Sequence, residues 1–215
     1  MIPLLRYSWN DAVRSHRWVA PVLLFIGSDS VLSIPAGGVL PTYGGVAVLV
    51  LFLAVWFAIF ISNNEDAVQF AVTAVTAGSV TKVRLGKLVV ALLGAVTLGV
   101  LGLIPPAAIT SSHLSVTDFL NAIGAVLATS TAGVAIGSMC VRPILTKASW
   151  SVVCGAGGGI ATILIPNCPP TRQIMVLFSS SSANVWSGVV LAAAETVVLA
   201  VIVIGASLTM AWRKT

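Results

Sequence analysis

The chain has 215 residues, 58% of them hydrophobic and 8% charged, with a net charge of +5 and a mean hydropathy of +1.06. Soluble domains carry roughly 25% charged residues, so the composition excludes a water-soluble globule. Nor does the positive charge point to nucleic acid, because Lys and Arg sit in short clusters between apolar runs rather than in one patch.

Several apolar runs approach the roughly 20 residues that a spanning helix needs. The expected architecture is therefore an all-α, polytopic membrane bundle with an N-terminal interfacial helix, about six spans and both termini in the cytoplasm. Arg6, Arg14 and Arg17 ahead of an apolar stretch resemble a signal peptide. Residues 1–17 are nevertheless expected to stay as part of the structure, forming an amphipathic helix on the membrane surface. Leu5, Trp9, Ala12, Val13 and His16 recur on one side, and Arg6, Asn10, Arg14 and Arg17 on the other. The remainder, 18–215, is expected to form the transmembrane domain.

The first span is expected over 18–34, interrupted by Ser28, Asp29 and Ser30. Pro35 to Pro41, with Gly37 and Gly38, reads as an outside turn, and the second span covers 43–61. Residues 64–81 read as a short helix lying on the cytoplasmic surface. Asn63 or Asn64 is placed to cap it, Glu65 and Asp66 in its first turn suit the positive end of the dipole, and Gly78 and Ser79 end it. Lys82, Arg84 and Lys87 follow as a basic loop before the third span, 88–104, which Pro105 and Pro106 are expected to stop.

An outside loop holding His113 comes next, and Ser115 with Asp118 has capping-box spacing ahead of the fourth span, which ends near Met139. Arg142, Pro143 and Lys147 mark a cytoplasmic turn, and the fifth span starts at Trp150. Gly133 and Gly137 in the fourth span, and Gly155, Gly157, Gly158 and Gly159 in the fifth, fit close helix packing rather than a ligand site. Residues 166–183, with Pro166, Pro169, Pro170, Arg172 and Ser179 to Ser182, form an outside segment with room for one short helix over 173–178. The last span covers 186–212, closed by Arg213 and Lys214. With the N-terminus inside, every Lys and Arg except Arg172 lies in the cytoplasm, as the positive-inside rule requires.

No catalytic constellation is present. Gly86-Lys87 lacks the glycine cradle of a phosphate-binding loop, and no G-x-S-x-G occurs. Cys140, Cys154 and Cys168 lack metal-ligand spacing, so no metal site is expected; of the three, only Cys168 is expected to face outside. Glu195 is the residue that invites a function. It lies nine residues beyond Trp186, about 13 Å along the helix, inside the outer half of the bilayer. With Gly188, Ala192 and Thr196 it suggests a small, polar stripe suited to a translocation path. Two readings of Glu195 stand: a cavity-lining or proton-coupled acid, and a protonated acid bonded to a neighbouring helix.

Two stretches carry a family resemblance: Arg6-Tyr7-Ser8-Trp9 through Arg14-Ser15-His16-Arg17-Trp18-Val19-Ala20-Pro21, and Asn64-Glu65-Asp66-Ala67-Val68-Gln69 through Thr76-Ala77-Gly78 to Gly86-Lys87-Leu88. In these, and in its overall plan, the chain resembles the permease subunit of type-2, exporter-like ABC transporters of the compact actinobacterial kind. The resemblance implies a plasma-membrane (bacterial inner-membrane) protein that pairs with a second, identical or homologous permease. It also implies a separate ABC ATPase that supplies the ATP and magnesium chemistry, with no cofactor and no enzymatic site in this chain. In that family the loop between spans two and three is the coupling helix, so Glu65, Asp66, Gln69, Phe70 and Thr73 are the expected ATPase contacts. Membrane lipid is an expected partner and nucleic acid is not. The importer-type loop is not evident, and the room for only one outside helix argues against a very large polymer as substrate. Two alternatives are an ion- or proton-coupled carrier or channel using Glu195, and an immunity or scaffold subunit that binds a membrane-active peptide without moving it.

Overall fold

The computed structural model of the chain describes residues 2–34, 39–109, 115–141, 148–165, 170–179 and 185–212. The expectations placed on Pro35, Gly37, Gly38, His113, Arg142, Pro143, Lys147, Pro166, Cys168, Pro169, Ser180, Ser181, Ser182, Arg213 and Lys214 lie outside these residues. Among the described residues every regular element is a helix: α1 (Ile2–Arg14), α2 (Val19–Leu32), α3 (Val39–Asn63), α4 (Ala67–Ala77), α5 (Val80–Leu101), α6 (Ile104–Ile109), α7 (Val116–Met139), α8 (Ala148–Leu164), α9 (Thr171–Ser179) and α10 (Val185–Trp212).

Among the described residues, four apolar stretches are long enough to cross a bilayer: Leu40–Asn63, Val80–Ile109, Val116–Met139 and Val185–Thr209. They make the chain compatible with a membrane-spanning protein. The helices expected as first and fifth spans are shorter, at 14 and 17 residues, or about 21 and 26 Å against a hydrocarbon core of about 30 Å.

The central column is α3. Tyr43, Val46, Ala47, Val50, Leu51, Ala54 and Ala58 are fully buried on it, because α2, α5, α6, α7, α8 and α9 all pack around it. Its most extensive partner is α7, and the reason is small side chains. A Cβ on Gly133 would come within 2.5 Å of the Leu51 carbonyl oxygen and 2.7 Å of Ala54 Cβ. One on Gly137 would lie 2.5 Å from Ala58 Cβ and 2.9 Å from the Val55 carbonyl oxygen. Backbones can approach this closely only where side chains are absent or are methyls, so van der Waals contact accumulates along the whole seam. In α8, Gly155 faces Val55 and Ile59, and Gly159 faces Phe52. Close packing is thus what these glycines do, with Gly157 the exception, since nothing lies within 4 Å of its added Cβ.

Several boundaries differ from the sequence reading. Helix α1 stops at Arg14, not at residue 17, because His16 takes a left-handed φ of 54°. The freed carbonyls are satisfied locally: Ser15 Oγ donates to the Ala12 oxygen at 2.7 Å and Trp18 Nε1 to the Val13 oxygen at 3.1 Å. Pro41 belongs to the first turn of α3, where the missing N–H has no helical partner to lose. Pro105 and Pro106 likewise open α6 instead of stopping the preceding span, which turns at Gly102 and Leu103. Helix α5 begins at Val80, so Lys82, Arg84 and Lys87 are helical rather than a loop. Ser115 caps α7 as expected, its Oγ accepting from the Thr117 N–H at 3.3 Å, with Asp118 in the first turn. The short helix expected over 173–178 is α9, seated on α3 and α10 through Ile174 and Phe178.

Charge divides the bundle by its ends. The C-terminal end of α3 gathers α1, α4 and the start of α5, bringing with them Arg6, Arg14, Arg17, Lys82, Arg84 and Lys87. Arg172 lies near the opposite end, its Nη1 donating to the Leu164 carbonyl oxygen at 3.2 Å.

Candidate functional site

Leaving α3, the chain meets Asn63, Asn64, Glu65 and Asp66 before α4 begins at Ala67. The first turn of α4 therefore holds no acidic residue, which corrects the placement of Glu65 and Asp66 there. Asp66 stands just before the helix and its carbonyl oxygen accepts from the Phe70 N–H at 2.9 Å. The other end closes as expected, with Gly78 at φ 70° accommodating a turn that side chains resist.

Glu65 turns into the protein. Its Oε2 lies 3.0 Å from Lys87 Nζ on α5, with the two side chains 2% and 4% exposed. An ammonium three residues before a run such as Val90-Ala91-Leu92-Leu93 needs a partner when it leaves water, and Glu65 supplies it. Neither charged atom has a further hydrogen-bond partner among the described residues. The ammonium also faces an aromatic ring: Lys87 Nζ stands 5.2 Å from the Phe70 ring centroid, and Arg84 Cζ 5.9 Å from it. Two residues of α4 and its lead-in, Glu65 and Phe70, thus clamp onto two cations of α5.

The same helix is tied to α1. Gln69 Nε2 donates to Tyr7 Oη at 2.7 Å, and Asn64 Nδ2 donates to Asp11 Oδ2. Leu4 of α1 lies where a side chain on Gly86 of α5 would go. Helices α1, α4 and α5 therefore form one connected assembly at the cation-rich end.

Of the expected ATPase contacts, the structure turns Glu65 and Phe70 inward onto α5 and engages Gln69 with α1. Thr73 is half-buried, its hydroxyl donating to the Gln69 carbonyl oxygen at 2.9 Å. The residues that α4 presents outward are others. Val68, Val72 and Val75 are 73%, 60% and 81% exposed, and spacings of four and three place them on one helical face. Sequence reasoning passed over this ridge, because valines in an apolar chain look like core; their offset from Phe70 and Ala77 was the available signal. It also missed the Glu65–Lys87 pair, because nothing in the sequence shows that residue 65 returns to the side of α5.

The Glu195 stripe is only partly assembled. Ala192 and Thr196 are buried in the bundle, where the Thr196 hydroxyl donates to the Ala192 carbonyl oxygen, and Gly188 meets Leu177 of α9. Glu195 instead faces α9, its Oε2 accepting from Gln173 Nε2 at 3.3 Å. A single continuous polar face including all four residues is not formed, because Glu195 and Thr196 are adjacent on the helix and adjacent side chains point in different directions. A second acid in an apolar helix was read only as an interruption: Asp29 of α2 is 4% exposed, on the face that buries Val22 and Phe25. Among the described residues no group of three His, Cys, Asp or Glu side chains gathers as a metal site.

No protein-family model, curated protein or solved structure matches the chain.

Proposed function

We propose that the chain is the membrane-spanning permease subunit of an ATP-driven, exporter-like transporter in the plasma membrane. It works with a separate ABC ATPase and a second permease chain. The observation that carries this reading is α4: a surface helix anchored to α5 by a buried ion pair and a cation–π contact, with an unpartnered valine ridge on its far side. Such a helix suits docking because its outer face offers apolar anchors while its inner face is fixed to the bundle. The absence of a phosphate-binding loop from the sequence accords with hydrolysis in another chain.

The mechanism follows from the attachments. Force applied to α4 by a closing ATPase passes through Glu65 and Phe70 into Lys87 and Arg84 of α5. Through Asn64 it also reaches α1. Tilting of α5 and α3 against α7 then changes access between the two permease chains. Asp66 and Gln69, at the N-terminal part of α4, remain candidate polar contacts beside the ridge.

The test is purification in mild detergent from native membranes, with identification of associated chains and an ATPase assay. An associated ATPase is expected, and Val68→Asp or Val72→Asp is expected to release it while leaving the bundle folded. Purification of the chain alone, from membranes with no associated hydrolysis, sinks the reading. One observation favours a second one: the half-buried Glu195 has Gln173 but, among the described residues, no cation as its partner, which suits an ion- or proton-coupled carrier. Glu195→Gln abolishes transport under that reading and leaves ATP-driven transport in place under the first.

A further inference from the structure

Between α1, α3 and α5 runs a crevice of about 200 Å³ with no polar lining surface. Its lower wall is Trp9 and Val13 of α1 with Trp18, and its inner wall is Phe57 and Phe60 of α3. Along α5 it extends from Val90 to Leu98, eight residues or about 12 Å of helix. An interfacial helix with Trp9 46% exposed marks its mouth, and the crevice leads from there toward the middle of the bilayer. That is the shape and chemistry of a seat for one hydrocarbon chain.

The charges around the mouth specify what the chain is attached to. Arg14 and Arg17 are both exposed, one directly after Val13 and the other directly before Trp18. The left-handed turn at His16 is what keeps this basic pair beside the crevice instead of continuing α1 away from it. The one acid between residues 2 and 18, Asp11, is occupied by Asn64. The segment around the mouth thus carries two arginines against one carboxylate, and that carboxylate is held by Asn64; the crevice behind it has no polar lining surface.

We propose that this crevice holds an acyl chain of a phospholipid from the leaflet at the cation-rich end, with the lipid's anionic headgroup between Arg14 and Arg17. The lipid would complete the junction of α1 with the bundle, wedged where Trp9 and Trp18 meet α3 and α5. This inference depends on the chain lying in a membrane and not on its being a transporter.

The experiment uses the full chain, without any ATPase, exchanged into phosphatidylglycerol or phosphatidylcholine. Retained lipid is counted by native mass spectrometry, and glycerol 3-phosphate serves as the headgroup without a chain. Phosphatidylglycerol is expected to be retained preferentially. Arg14→Ala and Arg17→Ala should each lower that preference about fivefold, the worth of one basic residue at a membrane surface. Thr97→Trp, at an exposed position on the crevice rim, should reduce retention of both lipids while the chain still elutes as a folded species. Equal retention of the two lipids, full retention in Thr97→Trp, or displacement of the lipid by glycerol 3-phosphate alone would each overturn the proposal. Because the readout is lipid retention, its failure would leave the ATPase co-purification result untouched.

Discussion

Lys87 and Glu65 show how a charge is accommodated where helices leave water. Both side chains are almost fully covered, so each is tolerable only through the other and through the Phe70 ring. Removing one partner of such a pair strands the other, at a typical cost of about 3–5 kcal/mol. Lys87→Met is therefore expected to lower the unfolding free energy in detergent by about that amount, measured by denaturant or thermal unfolding. The double variant Glu65→Leu with Lys87→Met should lose much less than the two single losses combined, since no orphan charge remains. A double variant as unstable as the sum would mean that the pair is not an energetic unit. Sequence alone leaves the pair illegible for a physical reason. Lys82, Arg84 and Lys87 carry the composition of a loop, and only the three-dimensional return of residue 65 makes the third of them an acceptable helix residue. Glu195 illustrates the converse: its position in an apolar run was evident, whereas Gln173, on a different helix, was not.

The elements themselves were largely readable, because apolar runs of membrane length leave little choice but helix once backbone groups lose water. Runs such as 43–61 and 186–212 are present as helices close to those bounds. Errors concentrate at ends. Pro41 read as part of an outside turn and Pro105 and Pro106 as stops, yet all three stand in first turns, where composition alone cannot separate a stop from a start. The glycines were legible as packing positions but not by partner. Gly133 and Gly137 face α3 of their own chain, so they are spent inside the bundle and offer no surface to a second subunit. Gly133→Ala and Gly137→Ala are each expected to cost about 1–3 kcal/mol, as overpacking against backbone does. Gly157→Ala, into open space, should be neutral or stabilise by at most about 1 kcal/mol. Unfolding midpoints of the three variants compared side by side check this, and equal losses at all three sites would contradict the seam.

At the scale of the molecule, the two ends differ in kind. The end with α1 and α4 carries the described cations apart from Arg172, and the positive-inside rule orients that end toward the cytoplasm. In intact cells a membrane-impermeant maleimide should label Arg172→Cys and leave Arg6→Cys unlabelled until the membrane is opened, with Cys140, Cys154 and Cys168 first replaced by serine. The reverse pattern would invert the topology and remove α4 from the reach of any cytosolic ATPase. Burial is also uneven: 72% of the apolar window of α3 lies inside the bundle but only 22% of that of α10. One helix is a shared axis and the other a border.

The shortness of α2 has a consequence for how the chain enters the membrane at all. At 14 residues with Asp29 on its packing face, α2 is a poor substrate for insertion, since it is short and an aspartate adds up to about 2.5–3.5 kcal/mol to the transfer of a segment, the full amount applying at its centre. The segment that follows is the opposite, 24 residues at a mean hydropathy of 2.7. If the chain is inserted co-translationally, α2 is therefore expected to partition together with α3 as a hairpin, with Asp29 buried on its packing face. A nascent chain cut after residue 34 and extended by a linker long enough to clear the ribosomal tunnel should leave α2 extractable by alkali, whereas one cut after α3 and extended likewise should not.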